Sequence, residues 1–187
     1  MKILVEDVYK KVAGFLNKER YEYIVIGGIA VGLLGEPRAT GDVDIDILLE
    51  AEQIPVFLSK AKKAGFRFNA QECRQKALAT GTFQIQYGAF HVDFIIASIE
   101  LERQAFKRKK TFRLYNTNAF FPTPEDMVLL KIIPGRPQDL ADAEKIIMRH
   151  KGRLDIGYLK NWAQEISAEA QNPRIAGDLD RLLTVKY

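Results

Sequence analysis

Residues 42–47 read Asp-Val-Asp-Ile-Asp-Ile, and this alternation constrains the fold more than any other stretch of the chain. In a strand, residues two apart share a face, so Asp42, Asp44 and Asp46 stand on one side and Val43, Ile45 and Ile47 on the other. The branched apolar side has to be buried, which predicts a sheet with one covered face. The acidic side gathers three like charges, which repel one another unless the face is wet or holds a cation. Both readings stay open from this stretch alone.

The neighbouring segments predict a sheet with helices around it. Apolar residues at 5, 8, 12, 15 and 16 predict a helix over 5–18. Residues 21–28 are a β-rich run stopped by Gly27 and Gly28, 29–35 a short buried helix, and 36–41 a polar turn. Pro55 and Gly65 frame a helix over 52–65, followed by a short strand over 66–69. Residues 82–88 and 89–97 are two β runs parted by little more than Gly88, which predicts a hairpin; 99–110 is helical and 112–122 extended. Thr123 as N-cap, Pro124 at the first helical position and Asp126 open a helix over 123–133. Pro-Gly-Arg-Pro-Gln breaks it, and 139–151, 156–167 and 178–187 read as further helices. The expected architecture is α+β, with an α/β unit over 1–122 and a small helical part over 123–187 packed on it.

Composition narrows the function classes. A chain of 187 residues, 47% hydrophobic and 28% charged, can bury a core, and its net charge of +4 permits an anionic partner without requiring one. A single cysteine, Cys73, excludes an internal disulfide and suits a reducing cytosol. His91 and His150 stand far apart, so no Cys/His cluster points to a structural zinc site. The N-terminus lacks the apolar core of a signal peptide, and the longest apolar run, 24–34, is too short to span a bilayer. A soluble, cytoplasmic protein with no membrane partner is expected.

Three features point to chemistry. Gly27-Gly28, between a strand and a helix, lets the backbone approach a ligand and offers helix-start N–H groups to phosphate; the same pair also serves as a tight turn with close helix packing. Asp42 and Asp44 can share a divalent cation such as Mg²⁺, which takes hard oxygen ligands, or simply line a wet strand face. Asp93 sits inside the apolar run Phe-His-Val-Asp-Phe-Ile-Ile-Ala, where a carboxylate needs a metal, backbone donors or an ion pair. Asp42, Asp44 and Asp93 are therefore expected to converge near the glycine turn. Residues 106–113, with five basic side chains and two phenylalanines, fit either a phosphate backbone or a solvated helix end.

The segment Gly-Gly-Ile-Ala-Val-Gly-Leu-Leu-Gly-Glu-Pro-Arg-Ala-Thr-Gly-Asp-Val-Asp-Ile (27–45) resembles the signature of the DNA polymerase β-like nucleotidyltransferase superfamily. The wider form Gly-x-Pro-Arg-Ala-Thr-x-Asp-x-Asp, with Thr-Pro-Glu-Asp, Leu-Leu-Lys and Gly-Arg-Pro-Gln-Asp-Leu-Ala-Asp downstream, is most similar to the AbiEii-type (abortive-infection toxin) nucleotidyltransferases and their relatives, over residues 21–147. The resemblance implies a nucleotidyltransferase fold, a mixed β-sheet flanked by helices. It implies transfer of a nucleoside monophosphate from a nucleoside triphosphate to a hydroxyl acceptor, with two Mg²⁺ ions, or Mn²⁺ in their place, activating the hydroxyl and neutralising the leaving pyrophosphate. Asp42 and Asp44 become the metal pair, Asp93 the third carboxylate or proton acceptor, and Gly27 and Gly28 the triphosphate turn. Gly28 stands where many relatives have serine.

Arg38, Thr40 and Lys131 are carried over as nucleotide-binding. Arg38 also suits pairing with a loop acid such as Glu36, and Lys131 a snorkelling role on a packed helix. Arg136 and Asp139 read as a loop ion pair and helix-start cap. Asp46 is an extra acid, a solvated flank or a helper to the metal. The implied acceptor is RNA, typically tRNA, and the implied role a toxin with an antitoxin partner. An aminoglycoside or lincosamide adenylyltransferase is the second reading, and a non-catalytic nucleotide- or RNA-binding or antitoxin-like protein the third.

Overall fold

The computed structural model describes residues 3–184, so the end of the helix expected over 178–187 lies outside the described residues from 185 on. In chain order the elements are α1 (Val5–Glu19), β1 (Tyr23–Ile26), α2 (Gly27–Leu34), β2 (Val43–Ile47), a 3₁₀ turn (Ala51–Gln53), α3 (Ile54–Lys63), α4 (Ala70–Thr80), β3 (Thr82–Tyr87), β4 (Phe90–Ile96), α5 (Glu100–Arg108), β5 (Lys110–Leu114), β6 (Thr117–Phe121), α6 (Pro124–Ile132), α7 (Pro137–Arg149), α8 (Ile156–Glu169) and α9 (Arg174–Thr184). They form two units. The first is Met1–Ile29 with Ala39–Phe121, and the second is Ala30–Arg38 with Pro122–Tyr187. The sequence places 30–38 with the α/β part, whereas its contacts group it with the C-terminal helices.

The first unit is built on a four-stranded sheet in the order β1-β2-β4-β3. The sheet is mixed: β1 runs antiparallel to β2, β2 parallel to β4, and β3 antiparallel to β4. The alternation in β2 sets its two faces. Val43, Ile45 and Ile47 are fully buried, and Val25, Val92, Phe94 and Phe83 share their face. Phe57 of α3 seals this side, its ring 5.2 Å from Phe94 and 5.5 Å from Phe83, with Phe15 of α1 5.6 Å away. Each such side chain contributes roughly 1.5–3 kcal/mol through burial, enough for this face to fix the strand register.

The opposite face is covered only in part. Ile24 of β1 packs with Ala97, Ala105 and Phe106, and with Ile26, Leu48 and Phe120, so α5 lies across one end of it. The rest carries the polar side chains of β2, β4 and β3. Two local differences from the sequence reading have simple causes. Residues 66–69 contribute only the bridge Arg67–Gln86 rather than a strand. The unanticipated α4 follows, capped by Asn69, whose side chain accepts from the N–H groups of Gln71 and Glu72, yet it buries only Cys73 and Ala77 and so has little apolar periodicity. The stretch 112–122 is a hairpin of β5 and β6, closed by Tyr115 and Asn116 at φ 47° and 62°, a two-residue turn without the glycine that usually announces one.

In the second unit the Thr123 side chain caps α6 as expected, accepting from the Asp126 N–H at 3.2 Å. The segment 30–38 is tied to α7 through the Leu34 and Gly35 carbonyls, which meet His150 at 2.8 Å and Arg149 at 2.5 Å, and Glu36 pairs with Lys145 at 3.3 Å. Arg38 pairs with an acid, as one of its two readings expects, and that acid is Asp142 on α7: both Nε and Nη2 donate to it at 3.2 Å. Lys131, buried on α6, reaches Asp139 at 2.8 Å and Asp142 at 3.4 Å, and Arg136 meets Asp139 at 2.5 Å. Burial raises the Asp139 carboxyl, but the hydrogen bonds from Arg136 and Lys131 outweigh it and hold the group below its ordinary range. Asp139 lies inside α7, whose N-cap is Arg136, so it is an ion-pair partner rather than the cap. Asp142, fully buried, thus serves two cations and accepts from Gln138 at 2.9 Å. Asp142→Ala should lower stability by about 3–5 kcal/mol, because the buried Lys131 loses half its compensation. Urea unfolding measures this; a change below about 1 kcal/mol would show that the network is replaceable.

Candidate active site

The open face of the sheet is a grid whose rows follow the strand pairing. One row runs Ile26, Asp44, Asp93, Gln84 across β1, β2, β4 and β3. Asp44 and Asp93 are in register on adjacent parallel strands, so their backbones are about 4.8 Å apart and both side chains leave the same face. Gln84 Nε2 donates to Asp93 Oδ1 at 2.6 Å, fixing that carboxylate from the β3 side. In the row above, His91 pairs with Gln86, and His91 Nδ1 lies 3.7 Å from Asp42 Oδ1.

The glycine turn closes the other end of the first row. Gly27 has φ +62°, and a Cβ built on it would stand 1.8 Å from Asp44 Oδ2, so the Asp44 carboxylate lies directly against the Gly27 backbone. Only glycine combines that dihedral with that approach. At Gly28 a Cβ would meet Thr40 Oγ1 at 2.7 Å. The Thr40 hydroxyl, which donates to the Asp42 carbonyl at 3.1 Å, thus occupies the space a larger residue at 28 would need. Helix α2 starts here, and the first N–H groups of a helix have no partner within it.

The sequence brings three carboxylates to one face, but the structure arranges them unequally. Asp44 and Asp93 stand side by side, whereas Asp42 is half-exposed and turned to His91. Among the described residues, no three His, Cys, Asp or Glu side chains are gathered closely enough to hold a metal by themselves. The Asp44–Asp93 pair nonetheless fits Mg²⁺, which is commonly held by one or two carboxylates and completed by substrate phosphates and water. His91 was not anticipated in this site. Its place two residues before Asp93 on β4 was the available signal, since that spacing puts both on one face.

Asp46 is neither a wet flank nor beside the glycine turn. It is only 1% exposed, next to Ile24 at the end of the face that α5 covers, and its Oδ1 has no hydrogen-bond partner. Burial, with the Glu102 carboxylate adding to it, pushes its carboxyl up to about 8. The folded protein thus keeps this proton up to about pH 8, while the unfolded chain releases it near pH 4. Stability is therefore fully supported below roughly pH 4 and is lost as pH rises towards about 8, by several kcal/mol at most. Asp46→Asn escapes that loss, so its melting temperature should gain on the parent as pH rises from about 5 to about 8. A constant difference across that range would mean that Asp46 is solvated.

Arg38 and Lys131 belong to the second unit, on Asp142 and Asp139. In the basic stretch 106–113, Lys107 pairs with Glu100 and Lys109 with Glu22, and Lys109 also lies 5.1 Å from the centre of the Phe120 ring. A different cationic surface takes shape between α1 and α3, where Lys10, Lys11, Lys18, Lys60 and Lys63 line one groove on the side of the sheet away from the carboxylates. No described helix is long and apolar enough to cross a membrane.

No protein-family model matches the sequence, and no match is found among curated proteins. Solved structures do match. A nucleotidyltransferase-like antigenic protein from Paracoccidioides brasiliensis is 18% identical, with a TM-score of 0.55 over 97% of this chain and 93% of that one. The antibiotic-resistance factor ANT(2'')-Ia is 10% identical, with a TM-score of 0.61 over 89% of this chain and 95% of that one. The lincosamide antibiotic adenylyltransferase LnuA, in a lincomycin-bound structure, is 13% identical, with a TM-score of 0.52 over 77% and 96%. The likeness is one of fold: a mixed sheet flanked by helices, as in these nucleotidyltransferase structures.

Proposed function

We propose that the protein is a magnesium-dependent nucleotidyltransferase that moves a nucleoside monophosphate from a nucleoside triphosphate to a hydroxyl of RNA. The observation that carries this reading is the in-register pair Asp44 and Asp93 beside the close Gly27 turn. The start of α2 receives the triphosphate through backbone N–H groups, at a turn whose own two residues carry no side chain. Asp44 and Asp93, with Asp42 at the entrance, would hold Mg²⁺, which when bound offsets charge on the phosphates and favours the ionised acceptor hydroxyl. Asp93, oriented by Gln84, takes the proton of that hydroxyl. The chain's own share is positioning and electrostatics.

The RNA acceptor, and a toxin role with an antitoxin partner, rest on the resemblance of residues 21–147 to the AbiEii-type proteins. The second reading is a small-molecule acceptor, favoured by fold likeness to ANT(2'')-Ia and to LnuA, whose structure holds lincomycin. Incubation with each α-labelled triphosphate, Mg²⁺ and either total small RNA or an aminoglycoside and lincosamide panel separates the two. Label on RNA alone is expected. Label on a drug alone establishes the second reading, and label on neither acceptor class removes both.

A further inference from the structure

Beyond the carboxylates, the first row of the grid ends at a cavity. It has a volume of about 180 Å³ and is bounded by α4, the edge strand β3 and His91 of β4. Its helical wall is the N-cap Asn69 and one stripe of α4, Glu72, Cys73 and Lys76, at helical spacing; Arg67, Gln84 and Gln86 also line it. Gln84 is shared with the carboxylate pair through its hydrogen bond to Asp93, and His91 through its approach to Asp42. Cys73 is not its reactive group, since the thiol is 5% exposed, donates to the Gln84 carbonyl, and has its pKa pushed up by burial.

We propose that this cavity is the acceptor subsite, and that it takes the terminal ribose and phosphate of an RNA strand. The inference rests on the nucleotidyl-transfer reading and deepens it. In an in-line displacement the attacking and leaving oxygens stand on opposite sides of the phosphorus. The glycine turn lies at the Asp44 end of the row, so pyrophosphate departs on that side. The acceptor must then enter from the Asp93 end, where Gln84 leads into the cavity. There the acceptor hydroxyl passes its proton to Asp93, its oxygen bonds to the α-phosphorus, and the bond from phosphorus to pyrophosphate breaks.

The charge of the cavity selects the acceptor. Arg67 and Lys76 face one carboxylate, Glu72, and the amides of Asn69, Gln84 and Gln86 supply further donors and acceptors. A phosphate accompanied by sugar hydroxyls meets complementary groups there. A polycationic aminoglycoside meets like charge at Arg67 and Lys76 in the lining, a juxtaposition that disfavours binding there.

The test uses Lys76→Glu, with Arg74→Glu as control. Arg74 is exposed on the same helix and outside the cavity lining, so both variants change net charge equally. Binding of a short fluorescein-labelled single-stranded RNA is read by anisotropy without triphosphate, and labelling of the same RNA with it. Lys76→Glu should weaken binding about tenfold or more and raise the RNA KM to match, leaving the triphosphate KM in place, while Arg74→Glu changes binding by less than about threefold. Equal weakening by both variants would reduce the effect to general charge and overturn the subsite, as would a Lys76→Glu enzyme that labels RNA with an unchanged KM. If Lys76→Glu abolishes RNA binding but no triphosphate ever labels RNA, the subsite as an RNA site stands and the transferase reading falls.

Discussion

Asp44→Asn should lower kcat for nucleotidyl transfer by about a thousandfold or more, among the largest losses expected of any conservative change in the chain. Asp44 is in register with Asp93 and lies against the backbone of the Gly27-Gly28 turn. Asparagine keeps its size and removes a charge, so the fold is retained while the proposed Mg²⁺ site loses a ligand. Several kcal/mol of transition-state stabilisation go with it. Asp42→Asn should also abolish transfer, whereas Asp46→Asn should keep activity within about tenfold, because its buried carboxyl belongs to the α5-covered end of the face. The readout is labelled product formed under saturating triphosphate. Equal losses in all three variants would mean that the functional register of β2 is not the one assigned.

Gly27→Ala should be nearly as damaging by a different route. The new methyl would stand 1.8 Å from Asp44 Oδ2 at a residue with φ +62°, so Asp44 has to move and the backbone is strained. The left-handed conformation alone costs a non-glycine residue about 1–2 kcal/mol, and a carboxylate displaced by about an ångström costs on the order of a hundredfold in rate. Loss of kcat/KM by about a hundredfold, with melting lowered by several degrees, is the expected pair of results. Gly14→Ala is the contrasting substitution. Gly14 is inside α1 with nothing within 4 Å of the added carbon, so alanine there should stabilise by roughly 0.5–1 kcal/mol. A Gly27→Ala enzyme with full activity would show that Asp44 need not lie where the structure puts it.

The parts of the fold that were legible are those where one physical demand dominates. Alternating Val43, Ile45 and Ile47 had to face a core, and the capping signals at Thr123, Pro124 and Asp126 had to open a helix. Helix α4 escaped notice because a helix that buries only Cys73 and Ala77 shows no apolar stripe, although Asn69 followed by Glu72 was a usable start signal. At the site, the alternation showed that Asp42, Asp44 and Asp46 share a face but not how far along that face solvent reaches. That depends on where α5 lies, which no local pattern encodes. The destinations of Arg38 and Lys131 were hidden for a similar reason: their partner Asp142 is about a hundred residues from Arg38 and faces inward from a helix whose apolar positions gave no sign of a buried ion pair. His91 was visible as a residue but not as a neighbour of Asp42, since the pairing of β2 with β4 is non-local.

The account turns on which phosphorus is attacked. Incubating the protein with Mg²⁺, the RNA proposed as acceptor and the same triphosphate labelled either at the α- or at the γ-phosphate decides this in a single experiment. The account predicts that the α-label becomes covalently attached to the RNA, that the γ-label leaves as pyrophosphate, and that both events vanish in Asp44→Asn. Transfer of the γ-label to the acceptor, or transfer of the α-label that survives in Asp44→Asn, would contradict it.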